Sequence, residues 1–383
     1  MDLTWWQILL GAVIGLLILT ILVVLHELGH AIVAKRNGVE VEEFGIGFPP
    51  RAKVLGKVKG TLVTLNWLPL GGFCKMKGES DDAKGKGTYG ASSLAAKAKI
   101  LLAGVGMNFL TACVIFTILA FWGIPKITPS QFYVQSDNHG EQGIVAIYGV
   151  TEGSPAAIAG LKEGDEIVSV AGQDVDMSTE VPKLTAEHAG EEIEIVIRRD
   201  GEEQAITANI AEEDNGSGRL GIQTGQKQSG TIKATWSAPL VGVVTSAQFF
   251  GLTVSGLWDI LANLFQGIFN LIIGVPTATA ELSAVSDGVA GPVGILGQIF
   301  PSAMAAGPLM LLYISGVVSI SLVVMNLLPI PGLDGGRLYL TLWYRARHKT
   351  LTKEREEQIV GRGMMFIFGL IILITVMDII KVI

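Results

Sequence analysis

Long apolar runs alternate with polar stretches along this chain. Trp5–Leu25, Ile100–Ile124 and Leu309–Leu328 each supply the roughly 20 uncharged residues that a helix needs to cross a hydrocarbon core. Lys99 and Lys126 close the second run, and Pro308 and Pro329 bracket the third. A fourth run, Met364–Met377, is shorter, with Asp378 and Lys381 at its far end. The first run lacks a basic leading region and a small-residue cleavage site, so it reads as a span rather than a signal peptide. The pattern therefore predicts a polytopic α-helical membrane protein with four transmembrane helices.

Residues 240–275 are apolar too, with Phe249, Phe250, Leu257, Trp258, Leu261, Leu264 and Phe265 at helical spacing around Asp259. A span there would reverse the last two spans. An interfacial amphipathic helix, or a membrane-dipping hairpin, keeps their direction and is expected instead. Residues 128–226 change character: short β-rich runs at Gly143–Val150, Glu166–Val170 and Glu192–Arg198 indicate a soluble α+β module. The expected organisation is 1–127 with two spans and an intervening loop, 128–226 as the soluble domain, 227–306 as interfacial helix and linker, and 307–383 with two further spans. Gly78–Ser92, small, polar and glycine-rich, reads as a flexible loop without a motif. Gly291-Pro292-Val293-Gly294 reads as a turn.

Composition agrees with a membrane class. Charged residues are 16% of the 383, against roughly 25% in soluble proteins, and hydrophobic residues are 49%. A net charge of −7 gives no footprint for nucleic acid, and two cysteines exclude a disulfide scaffold. Residues 35–99 hold 12 Lys+Arg against 6 Asp+Glu, and residues 337–362 hold 7 against 3. Residues 123–240 hold 8 against 19. The basic segments are expected on the cytoplasmic side, and the acidic module and both termini outside. The C-terminal ends of spans one and three then reach the same, cytoplasmic, side.

Candidate chemistry sits at those ends. His26-Glu27-Leu28-Gly29-His30 closes the first run. Residues four apart share a helix face, so both imidazoles can reach one metal ion, with Glu27 beside them as general base. Ionisable groups directly after 21 uncharged residues are costly unless functional. A catalytic zinc takes three protein ligands and keeps one position open. His139, His188 and His348 fall in segments away from this end, whereas Asp334 follows the third run in Pro329-Ile330-Pro331-Gly332-Leu333-Asp334-Gly335-Gly336. The plainer alternative for Asp334 is a turn aspartate before two glycines.

These motifs resemble the site-2 protease family of intramembrane zinc metalloproteases, and within it the bacterial regulator-of-sigma-E protease branch. The resemblance runs nearly end to end. It rests on His26–His30 and on Asn326 through Gly336, with support from Gly38–Phe48, Leu68-Pro69-Leu70-Gly71-Gly72-Phe73 and Gly104…Asn108. Val105 stands where many relatives carry proline. The resemblance implies Zn²⁺ on His26, His30 and Asp334, with Glu27 as acid/base. It implies Asn326 as a substrate-holding asparagine. It also implies a membrane-associated β-hairpin over 68–77, in which Leu68, Gly71, Gly72 and Phe73 meet an extended substrate. Asn108 is expected either to support the site or to make an interhelical hydrogen bond.

Gly153–Asp165 followed by Ile167-Val168 resembles a bacterial PDZ domain, and the length suffices for one such module. It either binds peptide C-termini by strand addition or filters substrates by size. The implied activity is cleavage of single-span membrane proteins (anti-sigma factors, signal-peptide remnants) after ectodomain shedding. The implied setting is the bilayer of a bacterial cytoplasmic (inner) membrane, with the PDZ domain extracytoplasmic and the active site toward the cytoplasm. Two rivals are a catalytically silent scaffold, which an altered H-E-x-x-H would have favoured, and a zinc transporter, which needs several metal-binding groups spread through the spans.

Overall fold

The computed structural model describes residues 3–213, 218–273, 275, 283, 285 and 288–382. The four apolar runs lie in α1 (Trp5–Arg36), α2 (Leu94–Trp122), α7 (Pro308–Leu327) and α9 (Lys353–Val382). The 240–275 segment is one continuous helix, α5 (Ala238–Ile273). Among the described residues, five helices are long and apolar enough to cross a membrane, α5 being the addition to the four expected. Leu9, Leu17 and Ile21 of α1 are each more than half exposed. Apolar surface of this kind suits a lipid solvent, in which a helix satisfies its own backbone. Parts of the expected module and linker (214–217, 274, 276–282, 284, 286 and 287) lie outside the described residues.

The chain divides into two compact units, residues 1–116 with 246–383, and residues 117–245. In the first, α2 runs antiparallel to α1: His30 lies beside Ile100, and His26 beside Asn108. Ser319 of α7 donates its hydroxyl to the Asn108 carbonyl at 2.9 Å, which ties α7 to α2. Phe116, Phe249 and Tyr313, from α2, α5 and α7, form a ring cluster with centroids 5.5–5.8 Å apart. The apolar helix α6 (Pro292–Ala305) contains a π-helical turn at Ile295–Ile299, and its Phe300 and Pro301 seat against Gly15 and Gly11 of α1. The segment expected to be a turn is the capped start of α6: Asp378 of α9 accepts the Gly291 and Gly294 amides at 3.2 and 2.7 Å.

Between α1 and α2 lies the hairpin β1 (Val41–Val58) and β2 (Thr61–Met76). Both strands are long and bent, so Phe44 faces both Cys74 and Val63, and Ile46 faces both Gly72 and Leu65. The central run 43–46 is thus flanked on both sides, while the 72–75 run has no strand on its outer side among the described residues. Trp67 and Leu70 near the bend are exposed, with Trp67 at 70%.

Gly78–Ser92 is ordered rather than flexible. Asp81 forms a buried ion pair with Lys97 of α2, and its backbone N–H donates to Glu356 of α9 at 3.0 Å. Arg337 of α8 (Asp334–Ala346) pairs with Glu356 at 3.0 Å, donates to the Glu79 carbonyl and lies 4.9 Å from the Tyr89 ring centroid. A run that looks like solvated polar residues in sequence is held because its ionic partners arrive from remote helices.

The second unit is a sheet with two short helices. β3 (Ile124–Pro125) pairs with β10 (Thr231–Ile232). A separate antiparallel sheet contains β4 (Ile144–Val150), β5 (Glu166–Val170), β6 (Gln173–Asp174), β7 (Glu192–Arg199), β8 (Glu202–Asn209) and β9 (Ile222–Gln228). Its order is β8-β7-β5-β4-β9, with β6 on β5. Alternate residues Ile193, Ile195 and Ile197 of β7 point into a core shared with Val145, Ile147 and Ile167. α3 (Pro155–Ala159) starts at Ser154, whose hydroxyl accepts the Ala157 amide at 3.2 Å, and stops at Gly160 with φ of 86°. α4 (Glu180–Glu187) completes the unit.

Candidate metal centre

The site is assembled at the C-terminal ends of α1 and α7. His26 and His30 lie one turn apart on the face of α1 that meets α2, and both are buried. After α7, Leu328–Leu333 leaves the helix, with Gly332 at φ 107°, and α8 starts at Asp334. Gly335 and Gly336 allow the return: a Cβ on either would lie 2.5 Å from the Leu327 or 2.0 Å from the Ile330 carbonyl oxygen.

The result brings three donor atoms together. His26 Nε2 lies 2.9 Å and His30 Nε2 3.1 Å from Asp334 Oδ2, and the two nitrogens are 3.1 Å apart. Among the described residues this is the one group of three histidine, cysteine or carboxylate ligands able to share an ion. Bonds of about 2.0–2.1 Å in tetrahedral array place ligand atoms roughly 3.3 Å apart, so the triangle fits zinc with slight opening. His30 Nδ1 lies 2.7 Å from the Ile100 carbonyl, an acceptor only, so Nδ1 carries the proton and Nε2 is free to ligate. Gly104 of α2 faces both rings: a Cβ there would lie 2.4 Å from His30 Nε2 and 2.5 Å from His26 Nε2. A bare backbone at that position leaves the donors accessible.

Glu27 receives a hydrogen bond from the backbone of Cys74, in the 72–75 run. A cavity of about 460 Å³ is lined by Glu27, His30, Asp334, Phe73, Cys74 and Arg337. A second, about 550 Å³, is lined by Asp334, Arg337, Glu79, Lys353, Glu356 and Glu357. Polar lining of this kind suits the entry of water to a catalytic centre.

The structure thus brings Glu27, His26, His30, Asp334 and Phe73 together. Gly72 lies behind Glu27, where its Cβ would be 3.8 Å from Glu27 Cγ, and Gly71 faces Val23. Asn108 contacts His26 at 3.3 Å. Leu68 pairs with Phe48 in the hairpin, and Asn326 is half-buried in the last turn of α7; neither lines the two cavities. Sequence reasoning passed over Arg337 and Glu79. The arginine one turn after Asp334 on an amphipathic helix was the available signal.

Relatives cover the whole arrangement. A protein of Clostridium perfringens named as a candidate zinc metalloprotease is 31% identical over 96% of this chain and 98% of its own length. The zinc metalloprotease RasP of Shouchella clausii is 25% identical over 95% of this chain and 97% of its own. Among solved structures, the PDZ domain of an SdrC-like protein from Listeria monocytogenes is 21% identical, covering 24% of this chain and 93% of that one. Its TM-score of 0.19 assigns nothing. The sequence profile of peptidase family M50 matches residues 14–370, which contain all three donors and Glu27. The chain therefore belongs to peptidase family M50, the site-2 protease family of zinc metalloproteases.

Proposed function

We propose that His26, His30 and Asp334 hold the zinc ion and that this chain hydrolyses a peptide bond within a transmembrane segment. The observation that carries the reading is the triangle of donor atoms 2.9–3.1 Å on a side, built from two helix ends. When bound, zinc lowers the pKa of water and polarises the scissile carbonyl. Glu27 takes the proton of the attacking water and returns it to the leaving amine. The Cys74 backbone orients the Glu27 carboxylate for that exchange. The outer edge of the 72–75 run pairs with the substrate backbone, so the chain is read as an extended strand beside Glu27. Phe73 contacts the substrate there, Gly71 and Gly72 keep the run close to α1, Asn326 holds substrate near the metal, and Leu68 contacts it along the hairpin.

The substrates are single-span membrane proteins (anti-sigma factors and signal-peptide remnants) already shortened outside the membrane. Four helices (α1, α2, α7 and α9) cross a bacterial cytoplasmic membrane. α5 is an interfacial helix of the outer leaflet, or dips into it from that side, and either arrangement keeps the ends of α1 and α7 together at the cytoplasmic side. Residues 128–226 form an extracytoplasmic PDZ domain. Its edge strand β9 and α4 flank a cavity of about 110 Å³, which either takes a peptide C-terminus or remains unused while the domain excludes bulky ectodomains. The test is zinc-dependent cleavage of a reconstituted single-span protein. Cleavage by the parent and none by Glu27→Gln supports the reading; equal cleavage by both overturns it.

A further inference from the structure

His26 and His30 are held differently at the ring nitrogen that faces away from Asp334. For His30 that nitrogen meets a carbonyl. For His26 it meets the side-chain amide of Asn108, whose nitrogen is placed 3.3 Å from Nδ1. A neutral imidazole carries one N–H. If His26 Nε2 is to ligate, as proposed above, Nδ1 must carry the proton, and an N–H facing an NH₂ group makes no bond. The acceptor it lacks is on the same amide. Asn108 Oδ1 is buried with no hydrogen-bond partner, in a residue that is wholly enclosed.

Amide oxygen and nitrogen are nearly equal in size, so a half-turn of the amide exchanges them without moving any neighbour. Oδ1 then accepts from His26 Nδ1–H, and a donor–donor conflict becomes a bond. The placed orientation leaves both amide groups unpartnered and the exchanged one leaves only the NH₂, so the exchange gains an interaction. The backbone keeps Asn108 in place for this: its carbonyl is bound by Ser319, and it lies one turn beyond Gly104, which faces both rings.

Resting on the metal-site reading, we infer that Asn108 is a positioning residue whose side-chain oxygen accepts the Nδ1 proton of His26 and so aims the Nε2 lone pair at the shared ion. Ile100 does the same for His30 through its backbone, which no substitution of Ile100 removes. Asn108 is therefore the one of these two supports that mutation can delete.

The experiment uses the full chain in detergent. It measures zinc affinity by chelator competition, the visible spectrum after cobalt(II) substitution, and thermal unfolding with the metal stripped. Asn108→Ala and Asn108→Leu should each lower zinc affinity by about 10–100-fold and alter the cobalt spectrum, with the metal-free protein still folded. Asn108→Asp, whose ionised carboxylate only accepts, should restore affinity to within about threefold of the parent and return the cobalt spectrum to the parent's form. Parent-like zinc affinity in the Ala or Leu variant overturns the inference. So does an Asp variant as weak as the Ala variant, since the amide would then be donating. A folded parent that binds no zinc at all overturns instead the metal-site reading beneath it.

Discussion

Thr20 of α1 donates its hydroxyl to the Pro69 carbonyl of the hairpin at 2.6 Å, while also lying 2.8 Å from the Leu16 carbonyl of its own helix. The hairpin bend is thereby tied to α1 six residues ahead of the first imidazole. Thr20→Val keeps the shape and removes the donor, at a cost of about 0.5–1.5 kcal/mol, the net worth of a typical hydrogen bond. Hydrogen exchange of the 66–72 amides should accelerate while zinc content stays at the parental level. Unchanged exchange would show that the bond does not anchor the bend.

Glu27→Gln should bind zinc like the parent, since Glu27 is not one of the three converging donors. Turnover on a single-span substrate should fall by about 10²–10⁴-fold, the range for loss of a general base. Metal analysis beside a cleavage assay checks both halves.

Asp334→Ala removes one corner of the donor triangle, and Gly104→Ala places a methyl group 2.4–2.5 Å from both ring nitrogens. Both variants should lose zinc on dialysis against a weak chelator. A normal zinc content in Asp334→Ala would count heavily against the ligand assignment.

The Asp81–Lys97 pair is enclosed on all sides, with Arg345 3.4 Å from the same carboxylate. Removing one member leaves a buried charge uncompensated, so Asp81→Ala should destabilise the fold by about 3–5 kcal/mol. Denaturant titration of the full chain in detergent gives the measure. Replacing both members by apolar residues, Asp81→Leu with Lys97→Met, should recover much of that loss.

Two carboxylates of the second unit make its stability depend on acid. Burial alone would raise the pKa of Asp137, but hydrogen bonds from the hydroxyls and amides of Ser237 and Thr235 hold it well below the usual range. Asp165 is likewise opposed by burial and held low by Arg199, at 2.6 Å, and by the Lys162 amide. A depressed folded-state pKa contributes stability that is complete above the unfolded value, about 3.9, and is lost as pH falls through the folded value. Exchange of the Ile147 and Ile195 amides should show a loss of local protection below about pH 4 and little change from pH 5 to 7, after correction for intrinsic rates. Asp165→Asn should flatten that dependence.

Local pattern revealed much of this molecule because its strongest determinants are local. Uncharged runs located α1, α2, α7 and α9, and the four-residue spacing of His26 and His30 needs only one helix to become a shared face. Ser154, Pro155 and Gly160 fixed α3 through their own backbone preferences. What escaped depends on partners far along the chain. Asp81 is bound by Glu356 and Arg345, so no window around 78–92 could show that segment as ordered. The helix α5, by contrast, was visible in the apolar spacing of 240–275, because Asp259 and its glycines interrupt an apolar pattern without breaking a helix. The bare approach of Gly104 to both rings exists only once α1 and α2 are side by side.

Asp334 lies 308 residues beyond His26 and 304 beyond His30. The triangle of donor atoms therefore closes only where the loop after α7 stands beside α1. A chain with α7 displaced would keep the paired imidazoles yet lack the third donor, so the three-atom group registers the assembly of separate helices and not the folding of α1 alone.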